Sequence, residues 1–111
     1  MKIHCLAIPT ESIIKNRKEI TGIAVVYGNY INDSKKGDLI LIIKDLLTPA
    51  IVYQNSNVIA FVAEQGSWNS HGVSLALAKN IPCMVGVGRE INRIINESEI
   101  VLNFLEGTIN L

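Results

Sequence analysis

The sequence contains few of the residues that mark specialised classes of protein. Its 111 residues include two cysteines, one tryptophan and three prolines. Cys5 and Cys83 both lie in apolar stretches, so we expect free thiols that behave as small hydrophobic groups rather than a disulfide framework. No paired-ligand motif joins these cysteines to His4 or His71, and the spacing therefore predicts no metal site.

Net charge and long hydrophobic runs are also missing. Ten Lys and Arg residues balance ten Asp and Glu residues, and the basic residues are too scattered for a nucleic-acid-binding surface. No apolar run approaches the roughly 20 residues that cross a bilayer. The N-terminal "MKIHCLAIP" lacks the pattern of a signal peptide. We therefore expect a cytoplasmic protein with neither a nucleic-acid nor a membrane partner.

Short runs rich in Ile and Val, separated by turn signals, occupy most of the chain. The absence of a repeat or linker predicts one α/β domain over residues 1–111, too small to hold a complete multi-site enzyme. Several runs are apolar on both faces, which is typical of strands covered on two sides. The predicted strands are Lys2 to Ile8, Ile20 to Tyr27, Leu39 to Lys44, Val58 to Glu64, Cys83 to Val87 and Ile100 to Asn103.

Three helices are predicted between these strands. Thr48 can cap a short helix that Pro49 begins, because proline lacks the N–H that the first turn leaves unpaired. A longer helix covers residues 70–79 and stops at Asn80, which tolerates the left-handed conformation. The third covers residues 89–95, and a glycine turn with a short strand ends the chain. The apolar face of the longer helix consists of Val73, Ala76 and Leu77.

His71 is the strongest candidate in the sequence for a catalytic residue. The turn from Gly66 to Asn69 places it in the first turn of the longer helix. There the backbone N–H groups lack internal partners and carry partial positive charge, so they can bind an anion such as phosphate. The same field favours the neutral imidazole, which is the nucleophilic form. His71 can therefore accept and hold a phosphoryl group, while a capping or half-buried histidine is the alternative interpretation.

The segment from Gly66 to Gly86 combines a glycine-containing turn, a Ser-His pair, a helix, an Ile-Pro pair and an apolar strand. In this register it resembles the phosphohistidine, or swivelling, domain of phosphoenolpyruvate (PEP)-utilising enzymes such as pyruvate phosphate dikinase, PEP synthase and enzyme I of the sugar phosphotransferase system. The likeness covers about residues 20–111, because "KKGDLILI" and "VLNFLEGTINL" resemble the family's first Gly-Asp strand and closing hairpin. The matching positions are Gly66, Ser70, His71, Ala76, Ile81, Pro82, Val85 and Gly86.

The resemblance implies a single-domain β/β/α swivelling fold and a phosphohistidine on His71. It further implies partner domains or subunits that bind nucleotide, PEP or pyruvate. Mg and ATP or PEP are expected at those partner sites, and no cofactor is expected on this domain alone. A homodimer is compatible with the sequence. The residues implied in binding or orienting phosphate are Gly66, Ser67, Asn69, Ser70 and Gly72, the last because a glycine permits close approach.

Four positions depart from the family pattern. Gly72 stands in place of the usual residue after the histidine, and Asn80 replaces a glycine, a mild change because both tolerate the left-handed conformation. Ser67 replaces a second glycine, and Leu77 replaces an arginine that could pair with phosphate through two donors. Arg89 can substitute for the lost arginine only if the fold brings it close. Trp68 can shield the phosphoramidate or contact a partner, but packing over the turn is the favoured interpretation. Two functions therefore stay open: a phosphoryl carrier, favoured by the register, or a non-catalytic binding or regulatory module that retains the fold.

Overall fold

The computed structural model describes residues 1–16, 18–28 and 38–111. They form a small mixed α/β domain, and none of the helices in these ranges is long and apolar enough to cross a membrane. The strands are β1 Lys2–His4, β2 Leu6–Ile8, β3 Glu19–Val26, β4 Leu39–Leu46, β5 Ala60–Gln65, β6 Cys83–Val85, β7 Glu99–Asn103 and β8 Thr108–Asn110. The α-helices are α1 Glu11–Asn16, α2 Pro49–Gln54 and α3 His71–Ala78, and Gly88–Arg93 is a 3₁₀ helix.

All eight strands belong to one mixed sheet with the order β1-β8-β7-β3-β4-β5-β6-β2. The four central strands, β3 to β6, are parallel, with Ala24 beside Ile40 and Ile42 beside Val62. The outer pairs are antiparallel. Parallel strands must be covered on both faces, which explains their nearly continuous apolar runs.

The sheet is curled so that its two edges meet. β1 and β2 lie at opposite ends of the strand order, yet only Cys5 separates them along the chain. The Cys5 N–H donates to the Gly107 carbonyl oxygen at 2.9 Å, and its Sγ lies 3.3 Å from Sδ of Met84. Burial raises the pKa of the Cys5 thiol to about 11 and that of Cys83 to about 12, so both free thiols stay protonated at neutral pH.

The curled sheet separates two hydrophobic clusters. Side chains alternate along each strand, so Ile40 and Ile42 face the inner cluster whereas Leu41 and Ile43 face the outer cluster. The inner cluster is closed by Val87, Ile91 and Ile94 around the 3₁₀ helix. The outer cluster is covered by α2 and α3, whose buried residues are Val52, Gly72, Val73 and Ala76.

Most predicted elements are confirmed, with differences at the ends. Thr48 Oγ1 accepts from the Ile51 N–H at 3.3 Å as the predicted cap of α2, and Asn80 has the predicted left-handed backbone with φ 62°.

The strand predicted over residues 2–8 is wrong in its continuity, because the chain passes from one sheet edge to the other at Cys5. Helix α1, with Thr10 accepting from the Ile13 N–H at 3.4 Å, was not predicted. The predicted helix over residues 89–95 is a 3₁₀ helix that begins at Gly88.

α3 lies directly against the junction between β4 and α2. A Cβ atom added to Gly72 would stand 2.0 Å from the carbonyl oxygen of Leu47 and 3.1 Å from the carbonyl carbon of Thr48. Both obstacles are backbone atoms, which cannot move aside as a flexible side chain can. Gly72 therefore fixes how closely the start of α3 approaches the end of β4.

Gly72→Ala should destabilise the domain although alanine is the better helix former. Helix propensity favours Ala by about 1 kcal/mol, but overpacking against rigid backbone typically costs about 1–3 kcal/mol. Urea unfolding should give a net loss in the free energy of unfolding. Ser74→Ala, an exposed change in the same helix, is the control and should be nearly neutral. An alanine variant at position 72 that matches or exceeds the original stability would contradict this account of the packing.

Thr108→Val should stabilise the domain. Thr108 is 1% exposed in β8, and its Oγ1 has no hydrogen-bond partner among the described residues. A buried hydroxyl without a partner costs about 1–3 kcal/mol, and valine removes it while retaining the branched shape. The expected gain, roughly 1 kcal/mol or more, is measurable by urea unfolding. Thr108→Ser keeps the hydroxyl and loses the methyl group, so it should lower stability; the reverse ranking of the two variants would refute the explanation.

Candidate functional site

His71 lies at the edge of the sheet where the parallel strands end. The carboxyl ends of β4, β5 and β6 share this edge, which is where α/β sheets commonly bind ligands. β5 ends at Gln65, and a turn over residues 66–70 leads to His71, the first residue of α3. His71 is exposed, so its predicted position at an accessible helix start is confirmed. Its predicted catalytic role remains a prediction.

The turn before His71 is held by three short-range hydrogen bonds. The Ser70 N–H donates to the Ser67 carbonyl oxygen at 3.2 Å, and the Ser67 N–H donates to Ser70 Oγ at 2.9 Å. The Asn69 N–H donates to Ser67 Oγ at 3.3 Å. Gly66 precedes the turn with φ 130°, a conformation that side-chain-bearing residues rarely adopt. These bonds order the backbone immediately before His71.

The same bonds leave the start of α3 uncapped. Ser70 occupies the N-cap position, but its Oγ accepts from Ser67 and makes no cap hydrogen bond to the helix. The Ser74 N–H is the first to find a helical acceptor, the Ser70 carbonyl oxygen at 3.1 Å. Within the described ranges, no acceptor bonds the N–H groups of His71, Gly72 or Val73. Unpaired donors and the helix dipole together make this position suitable for an anion.

The residues predicted for phosphate contact differ in their exposure to solvent. Gly66, Ser67, Asn69 and Ser70 form the turn beside His71, and all of them are exposed or half-buried. Gly72 is buried, and the close approach that its missing side chain allows is to the Leu47 backbone. Its own contribution to anion binding would therefore come through its N–H group alone.

Trp68 lies in this turn, between Ser67 and Asn69. It is 55% exposed, so about half of its surface is open to solvent. Tryptophan is enriched among the residues that dominate protein–protein interfaces. The expectation that packing explains Trp68 is therefore not supported by its burial.

Among the described residues, no hydrogen bond or ion pair brings a cationic side chain to the turn before His71 in place of the arginine that Leu77 replaces. Leu77 is half-buried and packs against the outer cluster. Arg89 is exposed in the 3₁₀ helix, and among the described residues no hydrogen bond or ion pair links its side chain to the turn before His71. Gly86, three residues before Arg89, lies close to this turn: a Cβ added to Gly86 would lie 3.7 Å from the Gly66 carbonyl oxygen.

Sequence reasoning missed the contribution of Leu47 to this site. Its carbonyl oxygen positions the first turn of α3 through the contact with Gly72. The sequence signal for it is limited to Thr48 as the start of α2, since the parallel pairing that brings the end of β4 beside β5 is seen only in the fold. In the part of the chain that the structure describes, no group of three or more His, Cys, Asp or Glu residues is arranged to hold a metal ion.

Comparison with solved structures identifies both a partial and a full-length likeness. An NMR structure of Enzyme I (nEIt) is 26% identical with a TM-score of 0.55, covering 71% of this chain and 33% of that chain. This chain thus spans about a third of the Enzyme I structure. A UPF0107 protein is 18% identical with a TM-score of 0.60, covering 100% of this chain and 98% of that one. Aconitase X of Thermococcus kodakaraensis, in its holo form, is 12% identical with a TM-score of 0.62, covering 99% and 97%.

The last two likenesses show the fold alone, because their sequence identities are low. A comparison with curated protein sequences gave no significant match. The sequence profile described as "PEP-utilising enzyme, mobile domain" matches residues 35–107, which is more than half of the chain and includes the turn, His71 and α3. This protein therefore belongs to the family of mobile domains of PEP-utilising enzymes.

Proposed function

We propose that this domain carries a phosphoryl group on His71 as a component of a PEP-utilising phosphotransferase or dikinase. The observation that supports this most directly is an exposed histidine at the first residue of a helix whose first-turn N–H groups are uncapped. Family membership supports the same conclusion independently. The layered arrangement of a curled sheet with α2 and α3 outside it is also compatible with a β/β/α swivelling domain.

The proposed chemistry is a two-step transfer. A neutral imidazole nitrogen of His71 attacks the phosphorus of the donor, a P–N bond forms, and the P–O bond to the leaving group breaks with its electrons on that oxygen. A second acceptor then attacks the phosphohistidine and releases the imidazole. The N–H groups of His71, Gly72 and Val73 would face the phosphoryl oxygens, while Ser67, Asn69 and Ser70 hold the turn in place. Gly66 permits the backbone to enter that turn.

This scheme requires partner sites. We propose that nucleotide-binding and PEP- or pyruvate-binding domains or subunits load and unload His71, with Mg and ATP or PEP bound there. Movement of the domain between such sites would bring one exposed imidazole to both. A cytoplasmic setting and an optional homodimer fit the same scheme. Trp68, exposed beside His71, would be covered whenever a partner site encloses the imidazole.

A non-catalytic binding or regulatory module is the second candidate function. The observation that favours it is Leu77, which packs against the outer cluster where the family usually has an arginine. In that case His71 would be an ordinary exposed histidine. The chain offers a direct comparison, because His4 in β1 is also exposed but does not begin a helix.

Incubation with phosphoramidate, a small-molecule phosphoryl donor, tests the carrier proposal without any partner. Phosphoryl transfer to an imidazole nitrogen releases ammonia and forms an acid-labile, base-stable phosphohistidine, unlike the esters that serines form. We expect one such group to form first on His71, because the uncapped N–H groups stabilise it. Intact-mass measurements before and after mild acid would record it. His71→Ala should abolish this first group, and His4→Ala should leave it unchanged.

Equal rates of labelling at His4 and His71 would favour the non-catalytic module, since the helix start would then confer no advantage. An acid-labile group that persists in His71→Ala at the original rate would falsify the assignment of the site. The same set of variants applies with a cognate donor enzyme. There the unchanged protein should gain one group and His71→Ala none.

Leu77→Arg should speed the loading of His71 if the family arginine acts on the phosphoryl group. A charge-assisted pair contributes about 1.5–3 kcal/mol, which corresponds to roughly tenfold or more in rate when it forms in the transition state. Leu77→Gln removes the same apolar side chain without adding charge, so it controls for lost packing. The rate of phosphoramidate labelling of all three proteins is the measurement. An arginine variant no faster than the glutamine variant would show that position 77 does not act on the phosphoryl group.

A further inference from the structure

A cavity of about 450 Å³ lies at the edge of the sheet opposite His71. The amino ends of the parallel strands border it, through Ile20 and Thr21 of β3, Asp38 before β4 and Val58 before β5. The other wall is the end of α3, where Lys79 is the C-cap residue and Asn80 follows. The cavity is therefore separate from the phosphoryl site, although α3 connects the two.

The chemistry of the cavity wall is mixed. Ile20, Val58 and Ile81 are 5–7% exposed and supply an apolar surface. Asn80 Nδ2 lies 3.5 Å from Ser12 Oγ, a long hydrogen bond across the cavity rim that joins α1 to the end of α3. The described residues that line the cavity include no aromatic ring, so it has no surface on which a nucleobase would stack.

Asp38 and Lys79 are the charged residues among those described that line the cavity, and they have opposite signs. In the described part of the chain neither forms a salt bridge with the other or with a third residue. The Lys79 ammonium lies 5.2 Å from the centroid of the Tyr53 ring, a contact that restrains it at one side. Two opposite charges that form no salt bridge within the described ranges, beside an apolar surface, suit a ligand that carries both charges and an apolar group.

We propose that this cavity binds a small aliphatic amino acid. Its ammonium group would pair with Asp38, its carboxylate with Lys79, and its side chain would contact Ile20, Val58 and Ile81. A ligand with only one charge would satisfy one of these residues and be repelled by the other. The proposal does not depend on phosphoryl transfer, because none of these residues belongs to the turn before His71.

Titration with L-leucine, followed by amide proton–nitrogen correlation spectra, tests the proposal. Leucine should give saturable shifts at residues that line the cavity, with a Kd in the millimolar range or below. Asp38→Asn and Lys79→Gln should each weaken binding about tenfold, because each removes one charge-assisted contact. Asp45→Asn and Lys44→Gln are matched controls on exposed residues near the carboxyl end of β4, and they should bind as the unchanged protein does.

Isopentylamine, isocaproate and glycine separate the three parts of the recognition. Isopentylamine lacks the carboxylate, isocaproate lacks the ammonium group and glycine lacks the apolar side chain, so each should bind more weakly than leucine. No saturable shift up to about 50 mM leucine, shifts confined to residues away from the cavity, or unchanged affinity in both charge variants would overturn the proposal. All four substituted residues are exposed, so the spectra of the free variants should show the fold retained. His71→Ala should bind leucine normally, which separates this test from the test of the carrier.

Discussion

The closure of the sheet at Cys5 is the constraint on which the rest of the structure depends. A single residue joins β1, which pairs with β8, to β2, which pairs with β6. Because one residue spans only about 3.8 Å, the sheet must curl until its edges meet. The curl encloses the inner cluster and leaves the opposite face for α2 and α3. The edge strands β1 and β2 are only three residues long, and short edge strands limit edge-to-edge aggregation.

Parallel pairing of β3 to β6 then makes the two ends of the domain chemically different. At the carboxyl ends of these strands lie the turn before His71, the Leu47 carbonyl group and the starts of α2 and α3. The first-turn N–H groups of α3 are unpaired there among the described residues. At the amino ends of these strands lie the Asp38 carboxylate and the last residues of α3, with the carbonyl groups that end that helix. α3 thus presents its electropositive end to the proposed phosphoryl site and its electronegative end to the cavity.

Local signals in the sequence predicted the ends of the helices better than they predicted the connections between strands. Thr48, Pro49 and Asn80 act over a few residues, so their patterns specify the start of α2 and the stop of α3 without the rest of the fold. Local patterns could not predict the break at Cys5. An apolar run predicts one continuous strand, because nothing in the run tells which sheet edge each half joins. Ser70 shows the same limit: it occupies the N-cap position of α3, but its hydroxyl accepts from the Ser67 N–H, an outcome set by the turn geometry. Gly72 likewise suggested space for a ligand, but that space is filled by the backbone of Leu47 and Thr48, which connects β4 to α2.

The replacement of arginine by Leu77 affects how firmly the proposed phosphohistidine would be held. A helix start contributes about 0.3–1 kcal/mol to anion binding, and up to about 2 kcal/mol in a partly buried geometry. A paired arginine would add about 1.5–3 kcal/mol. Leu77 instead packs against the outer cluster and contributes to the stability of the domain. Under the proposed function, a phosphoryl group on His71 would be bound mainly by backbone donors. Weaker stabilisation of the intermediate raises its free energy, so the group would be passed on more readily once an acceptor site supplied the missing cation. The loss of the arginine is therefore compatible with transfer, provided that the partner completes the site.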